Sequence, residues 1–162
     1  MSESVDLSGA PAGAPAGAPT VALLPLPGTL LPHAPPWLLV DRLVSVGDGE
    51  VMADKLVTAN DRLTQDGLPE TLLIEALAQT AACLNALKER AAGSTARHQG
   101  LLVQAGKFVF EGRATVGDRI TLRCCQQATF GALTRFVGEA SVDGRLLARG
   151  ELTFAVGQPP LP

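Results

Sequence analysis

Two hydrophobic periods divide this chain. From Leu68 to Leu87, apolar residues fall on nearly every side of a helical wheel. Pro69 suits a first helical turn, Glu70 the positive end of a helix dipole, and Lys88 and Arg90 the negative end, with Gly93 just beyond. The pattern predicts one long helix from Pro69 to about Arg90, buried around most of its circumference. After it the period falls to two. Arg119–Gln127 alternates Ile120, Leu122 and Cys124 with Thr121, Arg123 and Cys125. Ala132–Val142 sets Phe136, Ala140 and Val142 against Arg135, Glu139 and Ser141, and Leu146–Val156 groups Leu146, Ala148, Leu152, Phe154 and Val156. With Leu101–Glu111 these make four strands, the last two joined by the tight-turn pair Asp143-Gly144. Trp37–Val46 and Val51–Thr58, joined by Gly47-Asp48-Gly49, read as two further strands ahead of the helix.

Strands that follow one another without helical crossovers pair antiparallel, so the class is α+β: an antiparallel sheet with one long helix packed on it. A helix this apolar needs a second covering surface, either a wrapped sheet or another subunit, and at least a homodimer is expected. Residues 1–28 carry the low-complexity run Ala10-Pro11-Ala12-Gly13-Ala14-Pro15 and offer nothing large to bury. They read as a disordered tail ahead of a single domain at 29–158.

Composition narrows the partners. Among 162 residues, 46% are hydrophobic and 18% charged, an ordinary globular balance. The net charge is −3 and the 13 Lys and Arg are scattered, which argues against nucleic acid and against a membrane surface. Glu75, Gln79 and Asn85 make the helical run a poor membrane span. The start, Met1-Ser2-Glu3-Ser4-Val5-Asp6, has no basic leader. Three cysteines, two of them adjacent, make no disulfide framework, and His33 and His98 stand far from them. The reading is a reduced, cytoplasmic protein with no structural metal and no cofactor.

Glu75 is the candidate for chemistry. It is the only carboxylate between Thr71 and Lys88, on a helix expected to be buried. An unpaired buried charge costs several kcal/mol, so Glu75 is paired, protonated, or facing a wet cavity. The last case is where ligand binding and proton transfer concentrate. Gln79 lies one turn on, on the same face, within reach of Glu75 or a ligand.

Four stretches in order carry a family resemblance. Leu31-Pro32-His33-Ala34-Pro35-Pro36-Trp37-Leu38-Leu39-Val40-Asp41-Arg42 is similar to Leu-Pro-His-Arg-x-Pro-Phe-Leu-Leu-Val-Asp-Arg of the 3-hydroxyacyl-(acyl carrier protein) dehydratases. Leu72-Leu73-Ile74-Glu75-Ala76-Leu77-Ala78-Gln79 resembles their helix motif. Lys107-Phe108 with Val116-Gly117-Asp118, and Gly138-Glu139-Ala140-Ser141-Val142-Asp143-Gly144, follow at matching spacing. The resemblance implies a hotdog fold, with the sheet wrapped around the helix and two subunits enclosing an acyl pocket. It also implies that a helix Glu from one subunit and a His from the other remove water from a 3-hydroxyacyl thioester. One group takes the proton beside the thioester carbonyl and the other assists the leaving hydroxyl. A backbone N–H at the helix start polarises that carbonyl.

The chain departs from the family at the histidine. Counted back from Glu75 without a gap, that position is Asp61, in Asn60-Asp61-Arg62-Leu63-Thr64-Gln65-Asp66-Gly67. The family's helix-start Gly corresponds to Glu70. The chain is thus more similar to the His-lacking hotdog partners of aryl-polyene synthesis. Glu75 is expected to be catalytic, with Gln79 and Glu70 contacting substrate. Asp61 and Asp66 are candidate replacements for the missing group, and His33 reads as structural. The expected activity is dehydration of an acyl thioester held on an acyl carrier protein or coenzyme A, weak in the homomer. The alternatives are a non-catalytic subunit that binds an acyl chain or completes a heterodimer with an active dehydratase, and an acyl thioesterase.

Overall fold

The computed structural model describes residues 23–61, 67–93 and 100–155. A short turn of helix, α1 (Pro27–Leu30), leads to strands β1 (Arg42–Val46) and β2 (Glu50–Leu56). The long helix α2 (Glu70–Ala91) follows, then β3 (Leu101–Phe110), β4 (Arg119–Phe130), β5 (Leu133–Val142) and β6 (Arg145–Ala155). The strands form one sheet in the order β1-β2-β4-β5-β6-β3, with every neighbouring pair antiparallel. Helix α2 lies across β2, β4 and β5 and reaches β3 and β6. This is the α+β architecture that the two hydrophobic periods and the resemblance imply.

The alternation decides which face is inside. Ile120, Leu122 and Cys124 of β4 and Phe136 and Ala140 of β5 are fully buried against Leu73, Leu77, Ala81 and Leu84 of α2. Helix and sheet approach closely at Gly138, where an added Cβ would lie 3.3 Å from the Leu77 side chain. Ahead of the helix, Gly67 has φ +109° and a Cβ there would collide with the Ala114 carbonyl oxygen, so glycine is required. The next residue anchors the helix start: Leu68 N–H donates to that carbonyl at 2.8 Å. On the outer face, Arg123, Glu139 and Arg149 stand in register across β4, β5 and β6. Glu139 lies 3.7 Å from Arg123 and 3.3 Å from Arg149, and Arg123 meets Glu50 at 2.6 Å.

Three details differ from the sequence expectation. The first strand begins at Arg42 rather than Trp37, because the backbone from Trp37 to Leu39 bonds to a helix side chain instead of a neighbouring strand. On β6 the buried residue is Leu147 and not Leu146, since the pairing slips between Ala140 and Ser141 and the extra residue inverts the alternation. Ordered structure also reaches into the expected tail: α1 opens at Pro27, which is buried together with Leu30. The repeat at 10–19 lies outside the described residues.

The sheet edges are uneven. β3 has register shifts between Leu102 and Gln104 and between Gly106 and Val109, with Lys107 at φ 53° between the latter. Leu101, Val103 and Val109 are exposed along it. β1 is short and shifts between Leu43 and Ser45.

Candidate active site

Glu75 sits in the second turn of α2 with its side chain 39% exposed. The helix is buried on its sheet side, but the face carrying Ile74, Glu75, Ala82 and Ala86 is only half-buried. Gln79, one turn on and 1% exposed, uses its whole amide. Its Oε1 accepts from Leu39 N–H at 2.8 Å. Its Nε2 donates to the Trp37 carbonyl at 2.7 Å and to Glu75 Oε1 at 2.9 Å. One buried side chain therefore fixes the extended segment to the helix and aims the Glu75 carboxylate.

That segment delivers a second ionisable group. Trp37 and Leu38 both donate N–H to the Ala34 carbonyl, folding the chain tightly after Ala34. His33, just before the fold, places Nε2 3.5 Å from Glu75 Oε1, with its side chain 36% exposed. Its Nδ1 is buried and has no partner among the described residues. His33 also walls a cleft of about 240 Å³ that runs along α2 past Ala82, Asn85 and Ala86 to Phe154. Leu30, Leu31 and Phe154 give it apolar walls and Asn85 and Glu89 polar ones; His33 lines it, and Glu75 does not. A smaller hollow of about 160 Å³ lies on the outer face among Arg123, Cys125 and Arg149. Its arginines are already paired with Glu50 and Glu139, on the opposite side of the sheet from α2.

The remaining candidates fall elsewhere. Asp61, at the position of the family histidine, is 12% exposed and meets Lys55 Nζ at 2.8 Å. It also accepts from Thr58 N–H at 2.6 Å and from Thr58 Oγ1 at 3.0 Å. Burial alone would raise its pKa, but the donors from Lys55 and Thr58 outweigh it and hold the carboxyl below the usual aspartate value. Asp61 is thus a salt-bridged turn residue. Glu70, in the first turn of α2, stands 3.6 Å from Arg113. Asp66 and His98 lie outside the described residues. Cys83 and Cys124 are fully buried, and burial pushes the Cys83 thiol up to about 12 and raises that of Cys124. Both are core packing and not nucleophiles.

Sequence reasoning singled out Glu75 and Gln79 and read His33 as structural; the structure brings the three side chains together. The motif gave the place of His33 in the chain, and nothing in the spacing showed that Gln79 would fold it back onto Glu75.

A six-stranded antiparallel sheet packed on one long helix is the hotdog fold. The family model for ApeP-like proteins, described as ApeP dehydratase, matches residues 25–160, and the chain belongs to this ApeP-like dehydratase family. The 3-hydroxyacyl-[acyl-carrier-protein] dehydratase FabZ of Lactococcus lactis subsp. cremoris is 35% identical over 134 residues, 79% of this chain and 90% of that protein. The FabZ of Streptococcus sanguinis is 36% identical over the same share of this chain and 93% of its own length. Among solved structures, the dehydratase heterocomplex ApeI:P from Xenorhabdus doucetiae matches with a TM-score of 0.76 at 22% identity, over 83% of this chain and 93% of that one. A hypothetical thioesterase with coenzyme A from Streptococcus pneumoniae matches at 0.59 and 14% identity, over 72% and 84%. These two structural likenesses speak for the fold.

Proposed function

We propose that the chain removes water from 3-hydroxyacyl thioesters carried on an acyl carrier protein, in fatty-acid or polyene-type lipid synthesis in the cytoplasm, with Glu75 as a reacting group. The observation that carries this reading is the half-open Glu75 carboxylate, held by Gln79 beside His33, which itself lines a cleft along α2. Such a site suits a substrate with an apolar chain and one polar reacting end. Curated relatives named for this activity, 35 and 36% identical, support it. In the reaction a proton leaves C2 beside the thioester carbonyl, the C3 hydroxyl departs as water, and a C2=C3 double bond forms. Gln79, whose amide is fully used inside the protein, positions Glu75. Glu70 stays at the helix start, where its N–H would serve the carbonyl.

A second reading gives the chain a place in a two-subunit assembly. The exposed apolar residues of edge strand β3 favour it, as does the likeness to a heterocomplex of dehydratases. A second copy would cover the same edge in a homodimer.

The test is turnover of 3-hydroxyacyl-carrier protein, and hydration of the matching 2-enoyl thioester, by the purified chain alone and mixed with a His-bearing hotdog dehydratase. Assembly mass would be read by light scattering on the same samples. Glu75→Gln is expected to lower kcat by roughly 10² to 10⁴, the usual range for one acid–base group, with the fold intact. A wild-type chain inactive in both settings would remove the reading.

A further inference from the structure

Elimination of water needs two proton-handling groups, and the position that the family pattern assigns to the second is closed. Asp61 is bonded to Lys55 and Thr58, whose donors hold its pKa below the usual aspartate value. A different residue stands where the second group is needed. Building on the function above, we propose that His33 is the acid–base partner of Glu75, supplied by the same chain.

The geometry carries this in three ways. The His33 Nε2 atom faces Glu75 Oε1 at 3.5 Å, and both side chains are more than a third exposed, so a substrate can touch both. Neither group is engaged elsewhere: among the described residues His33 Nδ1 has no partner, and Glu75 accepts only from Gln79, on Oε1. Of the two, His33 also lines the cleft along α2, so a chain lying there would meet the pair at His33. The buried Gln79 amide bonds both the Trp37–Leu39 backbone that follows His33 and the Glu75 carboxylate, which sets their spacing in one stroke. Gln79 is thus a positioning residue for the pair.

The step balances without any further reagent. His33 Nε2 takes the C2 proton of the substrate, and the electrons of that C–H bond become the C2=C3 bond. The C3–O bond breaks, and the Glu75 carboxyl gives its proton to the departing oxygen, which leaves as water. An imidazolium then lies against a carboxylate. The proton returns from His33 to Glu75 once the two side chains, 3.5 Å apart here, close to hydrogen-bonding distance, and the pair is reset. Their proximity is what allows this return.

The test uses the full chain as wild type, His33→Asn, Glu75→Gln and the double variant, assayed with a 3-hydroxyacyl thioester of carrier protein. His33→Asn is expected to lower kcat by roughly 10² to 10⁴ while KM stays within about threefold, and to erase one limb of the pH–rate profile. The double variant should be no slower than the worse single one, as for residues acting as a unit. His33→Asn turnover within about threefold of wild type, with Glu75→Gln inactive, would overturn the proposal and leave the dehydratase reading standing. So would a wild-type chain that works only when a second dehydratase is added. Inactivity of wild type under both conditions would instead remove the function itself. Should His33→Asn fail to fold, imidazole NMR decides, since the chain has two histidines. One imidazole signal should move between wild type and Glu75→Gln, and if neither moves the pairing is wrong.

Discussion

Asp61 and Glu75 are both carboxylates with a basic side chain alongside, and the fold treats them in opposite ways. Asp61 is 12% exposed and takes donors from Lys55, the Thr58 backbone and the Thr58 hydroxyl. Its partner Lys55 is 7% exposed and is bonded in addition to the Leu56 carbonyl. Among the described residues Glu75 takes one donor, from Gln79, and faces an imidazole at the looser distance of 3.5 Å. A carboxylate with several donors, one of them a buried cation, is favoured in its ionised form. One that is short of donors, half in water and beside a second titratable group can exchange protons. The residue aligned with the family histidine is thus tied into its turn, whereas the Glu75 carboxylate is only lightly bonded.

Breaking the closed site should have the largest effect on stability. Lys55→Met leaves Asp61 buried without its cation and is expected to cost about 3–5 kcal/mol in a urea titration, the range for stripping one member of a buried pair. Turnover per folded molecule should be unchanged. A loss below about 1 kcal/mol would place this pair with the surface salt bridges instead.

Gln79→Leu sharpens the contrast from the other side. It keeps the volume but leaves Leu39 N–H without its acceptor and removes the Gln79 donor from the Trp37 carbonyl. At roughly 1–3 kcal/mol for a buried polar group left unpaired, a loss of about 2 kcal/mol or more is expected. Unlike Lys55→Met it should also lower kcat, because the spacing of His33 and Glu75 depends on that amide. Stability loss with kcat intact would separate the clamp from the chemistry.

The smallest effect is in the acid limb of stability. Folding lowers the Asp61 pKa from its ordinary 3.8, so its contribution is complete above that range and disappears as pH falls through the lower folded value. Melting temperatures followed downward from neutral pH should fall more steeply at the acid end in wild type than in Asp61→Asn. Parallel curves would mean that Lys55 and Thr58 do not favour the ionised form.

Much of the fold was legible because it follows from local rules. The period change at α2, the alternation in β4 and β5, and the Asp143-Gly144 turn, with φ 49° and 79°, are all written in neighbouring residues. The misses are places where a distant contact overrides the local pattern. Trp37–Asp41 has the composition of a strand, but a glutamine 40 residues away takes the Leu39 N–H. Leu146 and Leu147 are equally suited to the core, and only the slip against β5 decides between them. In the site, Glu75 stood out as a lone acid on an apolar helix. His33 did not, because its meeting with Glu75 depends on a tight fold at Ala34 and on the Gln79 clamp, neither of which has a sequence signature.

The irregular edges of the sheet bear on what this chain can grow into. An open edge of straight, regular strand is a template to which copies can add without end. Here β3 is interrupted at two places and holds Lys107 in a left-handed conformation, while β1 is short and kinked between Leu43 and Ser45. Each edge offers only short runs of evenly spaced N–H and C=O groups. A mate must match the kinks as well as the apolar side chains, which favours a single closed partnership over head-to-tail propagation. The same bends that shape the rim of the sheet thus act as a stop signal against fibre formation.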